Sequence, residues 1–242
     1  MVYKKPNVRL LFLLVSILVT KVTGQDYSTE QLLGKDRSHL TKTKNPLHPK
    51  AAEAFEQMKK AAKKEGILIS IASGHRSYKR QQEIWDAKYR RFTKNGLTPT
   101  EAVTKIVEYS TIPGTSRHHW GTDIDLIDAK PKQPEGLLLA ENYEPNGVFC
   151  KLKEWMDQHA ATFGYFLVYT NKTDRKGFKY EPWHYSYAPV SVPLLAQYKK
   201  IALDELIRSS SIKGKEAFTT EFIASYRNNN LLDINPILLP DQ

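Results

Sequence analysis

Cysteine is almost absent: Cys150 is the only one in 242 residues, so no intrachain disulfide can form and stability must come from packing. On an apolar helical face that thiol is expected to be a small buried side chain. No apolar run reaches the ~20 residues that a membrane-spanning helix needs; one run, from Leu10 to about Val19, is half that length. Repeats and low-complexity tracts are missing too, which leaves ordinary globular packing. Lysine and arginine outnumber the acids, 36 to 26, for a formal charge of +10, yet the basic residues do not gather in one run. Nucleic acid is therefore not indicated as a partner, and the charge suits an anionic wall polymer or membrane surface.

In "MVYKKPNVRLLFLLVSILVTKVTGQD" Lys4, Lys5 and Arg9 precede the apolar run, and small and polar residues follow it. This is the pattern of a secretory signal peptide, residues 1–24, cut near Gly24. The protein is then exported, periplasmic or cell-wall associated, with no integral membrane segment after cleavage. About 218 residues and a charge of about +6 would remain, enough for one domain with a full core. Residues 25–45 are polar, without sustained periodicity, and read as an extended arm.

Helical spacing of Ala51, Ala54, Phe55, Met58, Ala61 and Ala62 predicts a helix ending at Gly66. "ILISIAS" reads as a buried strand, "YKRQQEIWDAKYRRF" as a helix, and "TPTEAVTKIVEYS" as another with a start signal at Thr98 or Thr100. "TDIDLID" alternates with the period of a strand having one polar face. "GVFCKLKEWMDQHAATFG" predicts a further helix, and "YFLVYT" and "YEPWHYSYA" two strands joined through "NKTDRKG". Two short helices and a proline-bearing tail complete residues 191–242. The fold class expected is α+β, a mainly antiparallel sheet flanked by helices, with the central domain at residues 46–190 and a C-terminal helical extension.

Chemistry concentrates in "PGTSRHHWGTDIDLID". Residues two apart on a strand share a face, so Asp123 and Asp125 present two carboxylates together. His118 and His119 lie just before them, in a loop that Gly114 and Gly121 make flexible enough to bring an imidazole back. Such a cluster can bind zinc, which takes three protein ligands in catalytic sites. A third ligand is available in "KYEPWHYSY", where Glu181 and His184 lie three apart. A neutral imidazole suits a metal, and a nearby carboxylate that is not a ligand can accept a proton from water. The residues alone do not choose between the two aspartates or the two histidines.

Taken together, "SRHHWGTDID" and "EPWH" resemble the Ser-x-His-x-x-Gly-x-x-x-Asp and Glu-x-x-His elements of the zinc D-alanyl-D-alanine carboxypeptidases and dipeptidases of the vancomycin-resistance type, the VanY-like LAS metallopeptidases. "SGHRSYKRQQEIW", from Ser73, resembles the segment that precedes them in the carboxypeptidase branch. The resemblance covers roughly Pro46 to Pro189. It implies that His118, Asp125 and His184 hold Zn²⁺, that Glu181 is the general base, and that Arg76 stabilises the oxyanion or holds substrate. Ser116, Ser73, Gln81, Asp123 and Trp183 are expected to contact substrate. The implied partners are peptidoglycan stem peptides, cleaved by a monomer at the terminal D-Ala-D-Ala bond.

One departure stands out: the family usually has alanine where this chain has Asp123. That carboxylate could lower the Lewis acidity of the metal, contact a substrate amine, or point into solvent or toward a basic partner. Two rival readings share the residues. One is a different cut by the same site, as an endopeptidase or a D-Ala-D-Ala dipeptidase; the other is a non-catalytic zinc-containing binding module, a use known for the related hedgehog scaffold. Trp120 and Trp183 are expected mainly to pack, and His48 and His159 to be structural or solvated.

Overall fold

The computed structural model describes residues 26–241. The segment read as a signal peptide lies outside them. Four strands form one antiparallel sheet in the order β1-β2-β4-β3: β1 (Ile69–Ser73), β2 (Asp123–Asp128), β3 (Tyr165–Leu167) and β4 (His184–Tyr187). The α+β expectation therefore holds. Among the described residues no helix is long and apolar enough to cross a membrane.

The alternation of β2 decides how the layers stack. Ile124 and Leu126 enter an apolar cluster with Phe55 and Met58 of α2 (Pro49–Lys64) and Leu152, Trp155 and Met156 of α5 (Cys150–His159). Asp123 and Asp125 are consequently left on the opposite face. A second cluster joins Trp85 of α3 (Tyr78–Lys94), Val103 and Ile106 of α4 (Pro99–Ile106), and Leu194, Leu195 and Tyr198 of α6 (Ala188–Tyr198). Ile207 of α7 (Leu203–Arg208) and Ile223 and Tyr226 of α8 (Thr220–Tyr226) complete it. Residues after 191 thus supply much of this second core. Tyr226 accepts a hydrogen bond from the Ile112 amide at 3.0 Å, and Trp85 donates to the Lys213 carbonyl at 2.9 Å.

Helix starts follow their local signals. Thr98, rather than Thr100, caps α4 through a capping box with Glu101, and Ser77 caps α3. The arm differs from the extended segment expected from sequence. It contains α1 (Thr29–Leu32), closed by a Ser28–Gln31 capping box, and it buries Leu32, Leu33 and Leu40. One helical turn is too short to show periodicity, so the capping box was the only local signal. Cys150 also departs from expectation: at the first turn of α5 it is partly exposed, with its Sγ 3.5 Å from Glu154.

His48 ties the arm to the domain. It caps α2 by accepting from the Lys50 amide at 3.3 Å, and its Nε2 lies 2.9 Å from the Tyr27 hydroxyl. Burial, with the neighbouring His39 and Lys50, pushes its pKa down to about 4. A depressed folded pKa means that the unfolded chain takes up the proton first. The stabilisation is present above about pH 6.5 and is lost as pH falls toward 4. Between pH 7 and 5 the wild type should lose about 2 kcal/mol more stability than His48→Asn, which keeps a capping group without a titration. Parallel urea titrations with the same pH slope would refute this.

Candidate metal centre and cleft

Strand pairing builds the centre. Asp125 stands directly opposite His184 in the β2–β4 ladder, and Asp123 opposite Ser186. Neighbours across antiparallel strands have closely spaced side chains, so register alone brings Asp125 and His184 together. An irregularity in β1 between Ile71 and Ser73 sets Ser73 opposite Asp125. His118 comes from a 3₁₀ turn, Arg117–Trp120, that ends at Gly121 with φ of +67°. A Cβ at Gly121 would also lie 3.0 Å from the His48 backbone nitrogen, so the positive φ and the close backbone both favour glycine there.

Ligand atoms of His118, Asp125 and His184, all three buried, lie within 4.8 Å of one another. His118 Nδ1–H donates to the Gly74 carbonyl at 2.8 Å, leaving Nε2 on the side of Asp125, 3.5 Å from Oδ2. His184 turns Nδ1 toward Asp125 Oδ1, 3.9 Å away, and toward Glu181 Oε2, 2.9 Å away. Asp125 Oδ1 is buried with no hydrogen-bond partner among the described residues. A buried orphan carboxylate oxygen facing two imidazole nitrogens is a donor set that fits zinc.

Glu181 lies outside the four-residue strand β4, in the turn before it, where the His184 amide donates to the Glu181 carbonyl. On the longer strand expected from sequence, residues three apart would point to opposite faces. The turn through Pro182 brings them to the same place. Arg76 donates to Ser73 Oγ at 3.1 Å and to Gln81 Oε1 at 3.0 Å, while Gln81 donates onward to the Thr111 carbonyl. His119, adjacent to the ligand His118, points away from the centre. Its Nδ1 meets the Arg76 carbonyl and its Nε2 accepts from the Gly114 amide. Burial holds it neutral, with a pKa near 3.

Electrostatics follow from this packing. Burial would raise the pKa of Asp125, but the neighbouring His118 charge and hydrogen bond outweigh it, so the carboxyl is lowered. Burial likewise opposes charge on His184, and the hydrogen bonds it donates to Asp123 and Glu181 reverse the effect, raising its pKa to about 10. Asp123 is held well below the carboxylate range: its desolvation is overcome by Arg117 and His184.

A cleft of about 620 Å³ opens over the centre, walled by Arg76, Ser116, Glu181 and Trp183 as well as the three ligand candidates. Trp183 is mostly buried and also packs on Tyr143, so it serves core and cleft together. Three expected substrate contacts are placed elsewhere. Ser73 and Gln81 hold Arg76 and do not line the cleft, and Asp123 is fully buried beside Arg117. Gln81 and Asp123 are fully buried and cannot reach a substrate, while half-buried Ser73 has its hydroxyl engaged by Arg76.

Two cations of the cleft, Arg117 and Lys88, are among the lining residues that sequence pattern did not single out. Arg117 lies between motif positions and is 5% exposed. Lys88 donates to Ser110 Oγ at 2.6 Å, and its pKa is lowered by burial and by Arg91 and Arg76. The available signal for Lys88 was its position seven residues after Gln81, on the same face of α3.

Asp125 and His184 on adjacent strands, with His118 from the preceding turn, form a group of the kind that could hold a metal ion on the polar side of the sheet. The VanY family model, described as D-alanyl-D-alanine carboxypeptidase, matches residues 44–190, and the chain belongs to that family. It is 26% identical over 185 residues to a D-alanyl-D-alanine carboxypeptidase of Enterococcus faecalis, covering 76% of this chain and 60% of that protein. The bifunctional D-Ala-D-Ala dipeptidase and carboxypeptidase VanXYC of Enterococcus gallinarum is 26% identical over 160 residues, covering 66% of this chain and 76% of that one. This chain thus spans about three-fifths of the length of the Enterococcus faecalis relative.

Solved structures share the fold. VanYB in complex with D-alanine-D-alanine superposes with a TM-score of 0.52 at 23% identity, covering 73% of this chain and 92% of that one. A mutant of the vancomycin-resistance D,D-pentapeptidase VanY in complex with Zn(II) gives 0.50 at 24% identity, covering 69% and 87%.

Proposed function

We propose that this chain is an exported zinc D,D-carboxypeptidase that removes the terminal D-alanine from peptidoglycan stem peptides. The observation that carries the reading is the convergence of His118, Asp125 and His184 beside Glu181 and Arg76 in one cleft. Family membership and the named activities of the relatives support the reaction class. The signal-peptide pattern in residues 1–24 supports export.

His118, Asp125 and His184 would hold the ion. When bound, zinc supplies Lewis-acid chemistry, acidifying water and polarising the scissile carbonyl. Glu181 accepts the proton from the attacking water at a carboxylate oxygen and returns it to the departing amine. Arg76, fixed by Ser73 and Gln81, offers its charge to the oxygen that becomes negative. Such donors contribute about 3–4 kcal/mol to the barrier in measured cases. Ser116 and Trp183 wall the site and orient the peptide.

The cleft volume of about 620 Å³ lies in the range of ordinary ligand pockets and admits the end of a stem peptide as well as the free dipeptide. VanXYC, with both activities, keeps the dipeptidase as the second reading. Digestion of pentapeptide muropeptides followed by mass analysis tests the choice, and loss of a single D-alanine is expected. Cleavage within the stem or cross-bridge, or hydrolysis of the free dipeptide alone, would replace this reading with one of its rivals. Zinc occupancy with no hydrolysis would favour a binding module.

A further inference from the structure

Asp123 stands where the family usually has alanine, and the structure gives it a place on the far side of His184 from the ion. Its Oδ2 accepts from His184 Nε2 at 3.0 Å and from Arg117 Nε at 2.8 Å. Its Oδ1 accepts from Ser186 Oγ at 2.7 Å and from Thr122 Oγ1 at 2.8 Å. Arg117 Nη2 also donates to Ser186 Oγ at 2.7 Å, which closes the network, and the guanidinium carbon lies 5.1 Å from the Trp120 ring. Asp123 and Ser186 are wholly buried, and Arg117 nearly so.

Two of the fates open to this carboxylate in the sequence, solvent exposure and a substrate contact, are removed by that geometry, and so is direct contact with the ion. It does not point into solvent, it does not line the cleft, and it faces Nε2 rather than the Nδ1 that meets Asp125 and Glu181. Because the two ring nitrogens point in opposite directions, Asp123 cannot share an ion with Asp125 through this imidazole. Arg117 balances its charge, so the pair adds hydrogen-bonding direction without net charge.

We infer that the buried Arg117–Asp123 pair is a positioning device for His184, fixing the ring with Nε2–H toward Asp123 and Nδ1 toward the metal. The inference rests on the zinc reading above. A metal-ligating histidine commonly donates its other N–H to a carboxylate, which fixes tautomer and ring angle and raises ligand basicity. Here Thr122, Ser186 and Arg117 occupy the remaining acceptor sites of that carboxylate, so its own orientation is set. Loss of such a partner typically weakens metal binding by about 10–100-fold.

The test uses the mature chain, with zinc affinity measured by competition against a chromophoric chelator. Asp123→Asn removes the charge at constant shape. The pair Arg117→Met and Asp123→Ala removes both buried charges together, which avoids stranding either one. Both variants should bind zinc about 10–100-fold more weakly than wild type, while the metal-free forms still unfold cooperatively. Wild-type affinity in either folded variant overturns the inference.

If neither variant folds, the zinc-loaded wild type still decides. Its imidazole ¹⁵N spectrum should show a slowly exchanging Nε2–H on His184, with Nδ1 metal-bound; the opposite tautomer would overturn the assignment. A wild type that binds no zinc would instead refute the metal reading itself, and that outcome is visible before any variant is made.

Discussion

Replacing Glu181 with glutamine is expected to leave zinc occupancy intact and to reduce turnover by about 10²–10⁴-fold, the usual contribution of a positioned general base. The carboxylate is not one of the three converging ligand candidates, but its Oε2 lies 2.9 Å from Nδ1 of one of them. In the metal-free arrangement that contact uses the nitrogen a metal needs. An Nδ1 that holds an ion has no proton to donate, so Glu181 is then released to accept one from water. Glutamine keeps the shape and cannot accept that proton as a base. Zinc content by atomic absorption, with D-alanine release measured on the same sample, separates the roles. Loss of zinc together with activity would make Glu181 a ligand, and unchanged turnover would remove it from the reaction.

Stripping the metal with a chelator is expected to abolish hydrolysis, and adding Zn²⁺ back to restore it. The same treatment should lower thermal stability, because an ion that binds only the folded chain stabilises it by mass action. At a thousandfold excess over the dissociation constant this is about 4 kcal/mol, which for a chain of this size shifts the melting midpoint by roughly 10 °C. His118→Ala and His184→Ala should show neither activity nor the zinc-dependent shift. Full activity in a metal-free preparation, or a shift that survives both substitutions, would contradict a centre built on His118, Asp125 and His184.

Much of this site could be read from residue order. The period of "TDIDLID" places Asp123 and Asp125 on one face, and both side chains do reach His184, from opposite ends of its ring. Periodicity could not say which end. Along a strand both aspartates are equivalent; only the pairing partner across the sheet distinguishes them, Ser186 for one and His184 for the other. The adjacent histidines are a similar case, since a 3₁₀ turn sends neighbouring side chains in different directions. His118 goes to the centre and His119 to the Arg76 carbonyl.

The expected substrate contacts of Ser73 and Gln81 became supports for Arg76. A polar side chain near a motif arginine has the same appearance in sequence whether it faces water or guanidinium. The arm before Pro46 illustrates the limit of pattern length: its single helical turn and the burial of Leu32 and Leu33 are visible only against Trp120, whose indole donates to the Leu32 carbonyl, and against the rest of the second core.

Sequence by itself determined the residue types of the centre, their order along the chain, the alternating strand that carries two acids and the amphipathic helices that cover it. These depend on periods of a few residues, which local geometry imposes. The tertiary structure decided which nitrogen of His184 meets Asp125, that Asp123 is neutralised by Arg117, and that residues after 191 build half of the second core. The first and last depend on register and side-chain direction between segments about 60 or more positions apart, and the second on a turn that folds Arg117 back onto Asp123. Such pairings are settled by the burial of all the segments together, and no single stretch of chain contains them.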